Sequence, residues 1–161
     1  MLFILIPNKG DAAIQCMQDT PHLTIELVWE DTDLEQLSIS ASNGQFSGIA
    51  TAYFAQGDVR LLADSIRGFP RTSSQLETFA SGDEYEYPYV KLVFRCADGT
   101  GHPVVDVTLA DELFHHGRQS RKHRVELDLH FEPLALDEFC RELDLVARRN
   151  TKRAVLRGLA A

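Results

Sequence analysis

Six histidines and three cysteines are the most reactive side chains in this 161-residue sequence. His115 and His116, with Asp111, Glu112 and His123 close by, form the densest set of potential metal ligands. Adjacent histidines on a strand point to opposite faces, and neither an H-E-x-x-H nor a cysteine-rich pattern is present. The spacing therefore predicts a solvated loop there, with no metal site and no cofactor. Cys96 and His102 flank a turn as a conceivable thiol–imidazole pair, but alternation places Cys96 on an apolar face, where a thiol is a packing residue. Asp98-Gly99-Thr100-Gly101-His102 contains a GxG, yet it lacks the third glycine of a phosphate cradle and leads into a strand. With no G-x-S-x-G elbow, Ser65 and Ser120 have no support as nucleophiles. No catalytic residue is predicted. The alternative is a small metal-dependent hydrolase using Asp98, His102, His115 and His116.

The acidic residues are more suggestive, because they cluster. Glu30, Asp31, Asp33 and Glu35 fall in one predicted turn, and Asp83, Glu84, Tyr85, Glu86, Tyr87 and Tyr89 interleave carboxylates with aromatics in another segment. Aromatic rings anchor interfaces and acids steer basic partners, so these ten residues are the candidate partner-binding surface. The charge is also unevenly divided: residues 1–116 hold 6 basic and 17 acidic side chains, whereas residues 117–161 hold 10 and 7. A net charge of −8 argues against general affinity for nucleic acid or an anionic membrane and favours a basic protein partner.

No apolar run approaches the roughly 20 residues of a membrane span, and the stretch Met1-Leu2-Phe3-Ile4-Leu5-Ile6 stops at Pro7. It reads as a first strand rather than a secretory segment. Cys16, Cys96 and Cys140 lie far apart with no CxxC pair, which points to a reducing cytoplasm.

Alternation with period two dominates the chain and predicts half-buried antiparallel strands. Leu23, Ile25, Leu27 and Trp29 share one face of a strand from His22, and Leu37, Ile39 and Ala41 repeat the pattern before the Asn43-Gly44 turn. The strand Phe46 to Phe54 carries small residues on its Phe46 face, which implies close packing by something large, and the segment that follows, from Asp58, is the natural candidate. From Asp58, a candidate cap, Val59, Leu61, Leu62, Ile66 and Phe69 recur at helical spacing until Gly68 and Pro70. Residues 71–88 read as a long loop or poorly paired edge strand. Tyr89 to Cys96 and His102 to Leu109 form a hairpin across Asp98-Gly99-Thr100-Gly101. Val125, Leu127, Leu129 and Phe131 line the next strand, and Leu136, Phe139, Cys140, Leu143, Val146 and Ala147 form an amphipathic helical stripe.

The expected fold is α+β: a mostly antiparallel sheet of about six or seven strands, with one mid-chain helix and one C-terminal helix. Residues 1–149 form a single domain. Residues 150–161, basic and free of acids, form a tail that continues the helix or trails off.

The order Phe46-Ser47-Gly48, Tyr53, Leu61-Leu62, Gly68-Phe69-Pro70, Leu92-Val93-Phe94, Asp98-Gly99-Thr100-Gly101-His102, Val105 to Leu109, Glu126 to Phe131, Leu136 to Phe139 and Leu143 resembles small bacterial WapI-type immunity proteins and related bacterial families. The resemblance spans about residues 20–147 and implies a non-enzymatic cytoplasmic protein that blocks a cognate toxin by binding it. It brings no catalytic residues. An oligomeric accessory domain, with exposed strand edges pairing between chains, is a further alternative, and oligomeric state stays open.

Overall fold

The computed structural model describes residues 20–113 and 121–160. Along the chain run β1 (His22–Glu30), β2 (Leu34–Ser42), β3 (Ser47–Ala55), α1 (Asp58–Ile66), β4 (Glu77–Ser81), β5 (Tyr89–Cys96), β6 (Pro103–Leu113), β7 (Arg121–His130), α2 (Pro133–Ala147) and β8 (Arg153–Arg157). They build two four-stranded antiparallel sheets, sheet A in the order β3-β2-β1-β8 and sheet B in the order β4-β5-β6-β7. The α+β class and both helices match the sequence expectation. The expected first strand Met1 to Ile6 lies outside the described residues.

One continuous core joins both sheets and both helices. Sheet A contributes Leu23, Ile25, Leu37, Ile39, Ala50 and Ala52, and sheet B contributes Val90, Leu92, Phe94, Val105 and Val107. Each set follows the alternation of its strands, because a buried face selects every second residue. Phe54 of β3 stacks on Phe79 of β4 at 4.4 Å between ring centroids, and Phe94 meets Phe69 and Phe131 edge to face. α2 packs between α1 and β8 and buries Leu136, Phe139, Cys140, Leu143 and Val146. Its first residue is Pro133, where the missing N–H is no loss.

β3 is the hinge between the layers. Its inward face carries Gly48, Ala50 and Ala52, and a Cβ added at Gly48 would collide with the Val125 side chain of β7. The close approach over this strand is therefore made by sheet B and not by the helix from Asp58, a further correction to the sequence reading. The outer edge of β3 is also occupied: Thr51 N–H donates to Asp111 Oδ2 at 3.4 Å, and the Ser81 hydroxyl donates to the Tyr53 carbonyl. At the other edge of sheet A, Val155 N–H donates to Glu142 Oε2 at 2.6 Å. Side chains thus cover main-chain groups that would otherwise attract another strand.

Four expectations need correction. Trp29 does not share the face of Leu23, Ile25 and Leu27, because a register shift between Leu27 and Trp29 inserts one residue and reverses the parity. Asp58 does not cap α1; Gly57 holds the cap position with φ 93°, and Asp58 Oδ2 accepts Ala55 N–H at 3.0 Å. Leu61 lies off the buried stripe Val59, Leu62, Ala63 and Ile66 and is 67% exposed. The basic tail is in part a strand, since Ala154 and Leu156 alternate into the core while Arg153 and Arg157 face water. Its pairing with β1 raises the strand number to eight among the described residues.

Gly48→Ala is expected to cost about 1–3 kcal/mol through overpacking, read as a lower urea midpoint with an unchanged m-value. Val125→Ala in the same chain should return part of that loss. An unaltered midpoint for Gly48→Ala would mean that the sheets do not close at this position.

Candidate functional site

The segment Asp83 to Tyr89 folds back on itself before entering β5. Asp83 Oδ1 accepts Tyr85 N–H at 2.9 Å, and Glu86 N–H donates to the Asp83 carbonyl at 3.0 Å. Gly82, at φ 89°, opens the turn, and the Pro88 carbonyl fills the place a Cβ would need. The turn then rests on β7. Lys122 Nζ lies 5.1 Å from the Tyr87 ring centroid, and the Arg124 guanidinium 5.9 Å from that of Tyr89. Arg124 also pairs with Glu84 at 3.2 Å and Glu126 at 2.6 Å. Two cations of the chain itself therefore answer the acids and rings of this segment. Tyr89 is 7% exposed and out of a partner's reach, whereas Tyr85, 84% exposed, stands free beside Asp83 and Glu86.

The other acidic group divides in the same way. Asp31 Oδ1 accepts the N–H groups of Asp33 and Leu34 at 2.9 and 2.8 Å, and these bonds hold its carboxyl below the ordinary range. Glu30 accepts from Arg149 Nε at 2.6 Å and from Gln56 Nε2 at 3.3 Å. Glu35 points inward and is 1% exposed. One of its oxygens accepts Gly57 N–H at 2.8 Å; the other has no hydrogen bond, and Arg149 Nη2 stands 3.7 Å away. Arg149 sits just past α2 at φ 63°, a conformation rare outside glycine, and donates to the Val146 carbonyl at 3.1 Å. Glu30, Glu35 and Arg149 are thus a structural tie between the β1–β2 hairpin and the end of α2. Burial takes Glu35 out of a partner's reach, whereas Asp31 and Asp33 are exposed.

Trp29 and Tyr53 were absent from the sequence-derived candidates. Trp29, Gln36 and Tyr53 fall in one row across β1, β2 and β3 on the outer face of sheet A. The two rings meet edge to face at 6.2 Å, and they are 47% and 50% exposed. Leu34 and Ile49 extend the apolar surface on the same face, with Ser38, Ser40 and Thr51 between them. Trp29 adjoins the Glu30 to Asp33 turn in sequence, while the Tyr53 carbonyl is bonded by Ser81, which precedes the Asp83 turn. The outward position of Tyr53 follows from alternation with buried Phe54; that of Trp29 depends on the register shift and has no signal in the sequence.

Among the described residues the histidines and cysteines do not converge on one site. His102 Nδ1 lies 2.9 Å from Asp98 Oδ2 and 2.8 Å from Thr100 Oγ1 in an exposed hairpin turn. Cys96 Sγ instead faces the Thr72 carbonyl at 3.9 Å. Burial pushes the Cys140 thiol up to about 11, which leaves it an unreactive core group. Asp111 faces His123 across the β6–β7 ladder, with its carboxylate engaged by Thr51 and Glu112 N–H groups. Among the described residues no three His, Cys, Asp or Glu side chains are grouped as metal ligands. His115 and His116 lie outside the described residues.

Arg149→Ala should lower stability by about 1–3 kcal/mol by leaving buried Glu35 without its counter-charge. Hydrogen bonds from Arg149 and then Gln56 lower the Glu30 pKa below its ordinary 4.5. That contribution is complete above pH 4.5 and is lost as pH falls through the lowered folded value, so Arg149→Ala should flatten the acid limb of stability against pH. An identical acid limb in both proteins would refute the tie. The bond to Asp98 raises the His102 pKa above its ordinary 6.5, so the ring should titrate above 6.5 by NMR and return toward it in Asp98→Asn.

Comparison with protein-family models, with curated proteins and with solved structures finds no match to this chain.

Proposed function

We propose that this chain is a non-catalytic binding protein that holds a basic protein domain against the outer face of sheet A, and that neutralising a cognate toxin is the form this binding takes. The observation that carries the reading is the exposed Trp29–Tyr53 pair on a sheet face that no described element covers, beside Asp31 and Asp33, carboxylates with no salt bridge among the described residues. Large aromatics supply most of the energy at protein interfaces, and nearby acids raise the association rate of a basic partner.

The toxin assignment rests on the resemblance to immunity proteins, which predicts binding without catalysis. A net charge of −8 suits a basic toxin domain and disfavours nucleic acid as the partner. Free Cys96 and Cys140 agree with a reducing cytoplasm as the place of action. Among the described residues no helix is long and apolar enough to cross a membrane.

The test is a pull-down from the native cell with the full chain as bait, run beside Trp29→Ala and Asp33→Lys. A basic toxin domain retained by the wild type should be lost from Trp29→Ala, with dissociation faster by about tenfold or more. It should associate more slowly with Asp33→Lys, most clearly at low salt. Growth inhibition by that domain should be relieved on co-expression with the wild type and not with Trp29→Ala. Equal capture by all three baits would overturn the surface assignment, and unrelieved inhibition would overturn the toxin assignment.

A further inference from the structure

β4 is the edge of sheet B nearest α1, and it differs from both edges of sheet A. Side chains cover main-chain groups of β3 and β8, as described above. Among the described residues no group outside β5 hydrogen-bonds to the main-chain atoms of Glu77 to Ser81. The strand also lacks the lysine or proline that commonly blunts an edge.

A groove of about 280 Å³ runs between this edge and α1. Its helical wall is formed by Asp58, Leu61, Leu62 and Ser65, and its floor by β4 from Glu77 to Ala80. Leu61 is the residue that departs from the buried stripe of α1, and Leu76, 63% exposed, stands just before the strand. The lining holds two carboxylates and no cation, since Arg60 turns to Asp64 at 4.0 Å. Open main-chain donors and acceptors, an apolar wall and uncompensated negative charge together specify an occupant: an extended chain with alternating apolar and basic residues.

We infer that the groove between β4 and α1 receives an extended basic segment of a partner protein, which adds to sheet B as a further strand beside β4. Main-chain hydrogen bonds hold the segment, while the groove acids select its charge and Leu61 packs on its apolar residues. This site goes beyond the sheet A surface and uses none of its residues, so either assignment can fail without the other.

The probe is a Lys-Val-Lys-Val-Lys-Val-Lys peptide titrated into the isotopically labelled full chain, with a Glu-Val repeat of equal length as its counterpart. The basic peptide should shift the amide signals of Glu77 to Ser81 and of Leu61. Its affinity should fall by about tenfold in Leu61→Lys, at an exposed position, and in Glu77→Lys, at a half-buried one, with the fold of both verified by the same spectra, and should be unaltered in Trp29→Ala. The acidic peptide should produce no shifts. The inference is overturned if the basic peptide leaves these amides unmoved at millimolar concentration, if its shifts are confined to Glu30 to Leu34, if the acidic repeat binds equally, or if sedimentation shows β4 already paired with β4 of a second copy.

Discussion

The architecture depends on the near absence of side chain where β3 passes over sheet B. Gly48, Ala50 and Ala52 leave room for Val125 and its neighbours, so two sheets that share no hydrogen-bonded ladder nevertheless share one interior. A larger residue at Gly48 would separate them at the point of closest approach, because a packed interior has no spare volume to absorb it. Phe54 on Phe79 then fixes the relation of β3 to β4, and the Ser81 hydroxyl on the Tyr53 carbonyl ties the two strands at the end that leads into the acidic turn.

From that crossing follows the disposition of the charges. The acid-rich first part of the chain and the basic end are brought together rather than left as opposite poles. Arg149 meets Glu30 and Glu35, and Arg153 meets Glu26, while Arg157 approaches Glu138 and Glu142 within the basic part itself. Lys122 and Arg124 cover the Tyr87 and Tyr89 rings. Most of these pairs are exposed and contribute little to stability. Their consequence is for recognition: they decide which carboxylates stay available, namely Asp31, Asp33, Asp83 and Glu86 among the original candidates. Asp31 and Asp33, which have no salt bridge among the described residues, adjoin exposed Trp29 in the chain, and the proposed interface rests on that arrangement.

The same crossing explains why the strand edges differ. β3 is covered because sheet B supplies Asp111 and Ser81 to it, and β8 because α2 lies alongside with Glu142. β4 meets α1 along an open groove, since the buried stripe of α1 turns toward the core and leaves Leu61 on the groove side.

The sequence by itself determined the local elements, since alternation and helical spacing are physical requirements of half-buried strands and helices. It marked Leu23 to Leu27, Val105 to Leu109, Leu127 to Phe131 and the stripe Leu136 to Val146 as core, and it anticipated the tight packing on the Phe46 face. It located the acidic segments without revealing which acids are paired. Tertiary structure alone decided that a register shift turns Trp29 outward, that Glu35 is buried beneath Arg149, and that Ala154 and Leu156 carry the basic tail into sheet A as β8. Each of those outcomes joins residues far apart in the chain or depends on the count of residues opposite a partner strand. A periodic pattern within one strand contains neither kind of information.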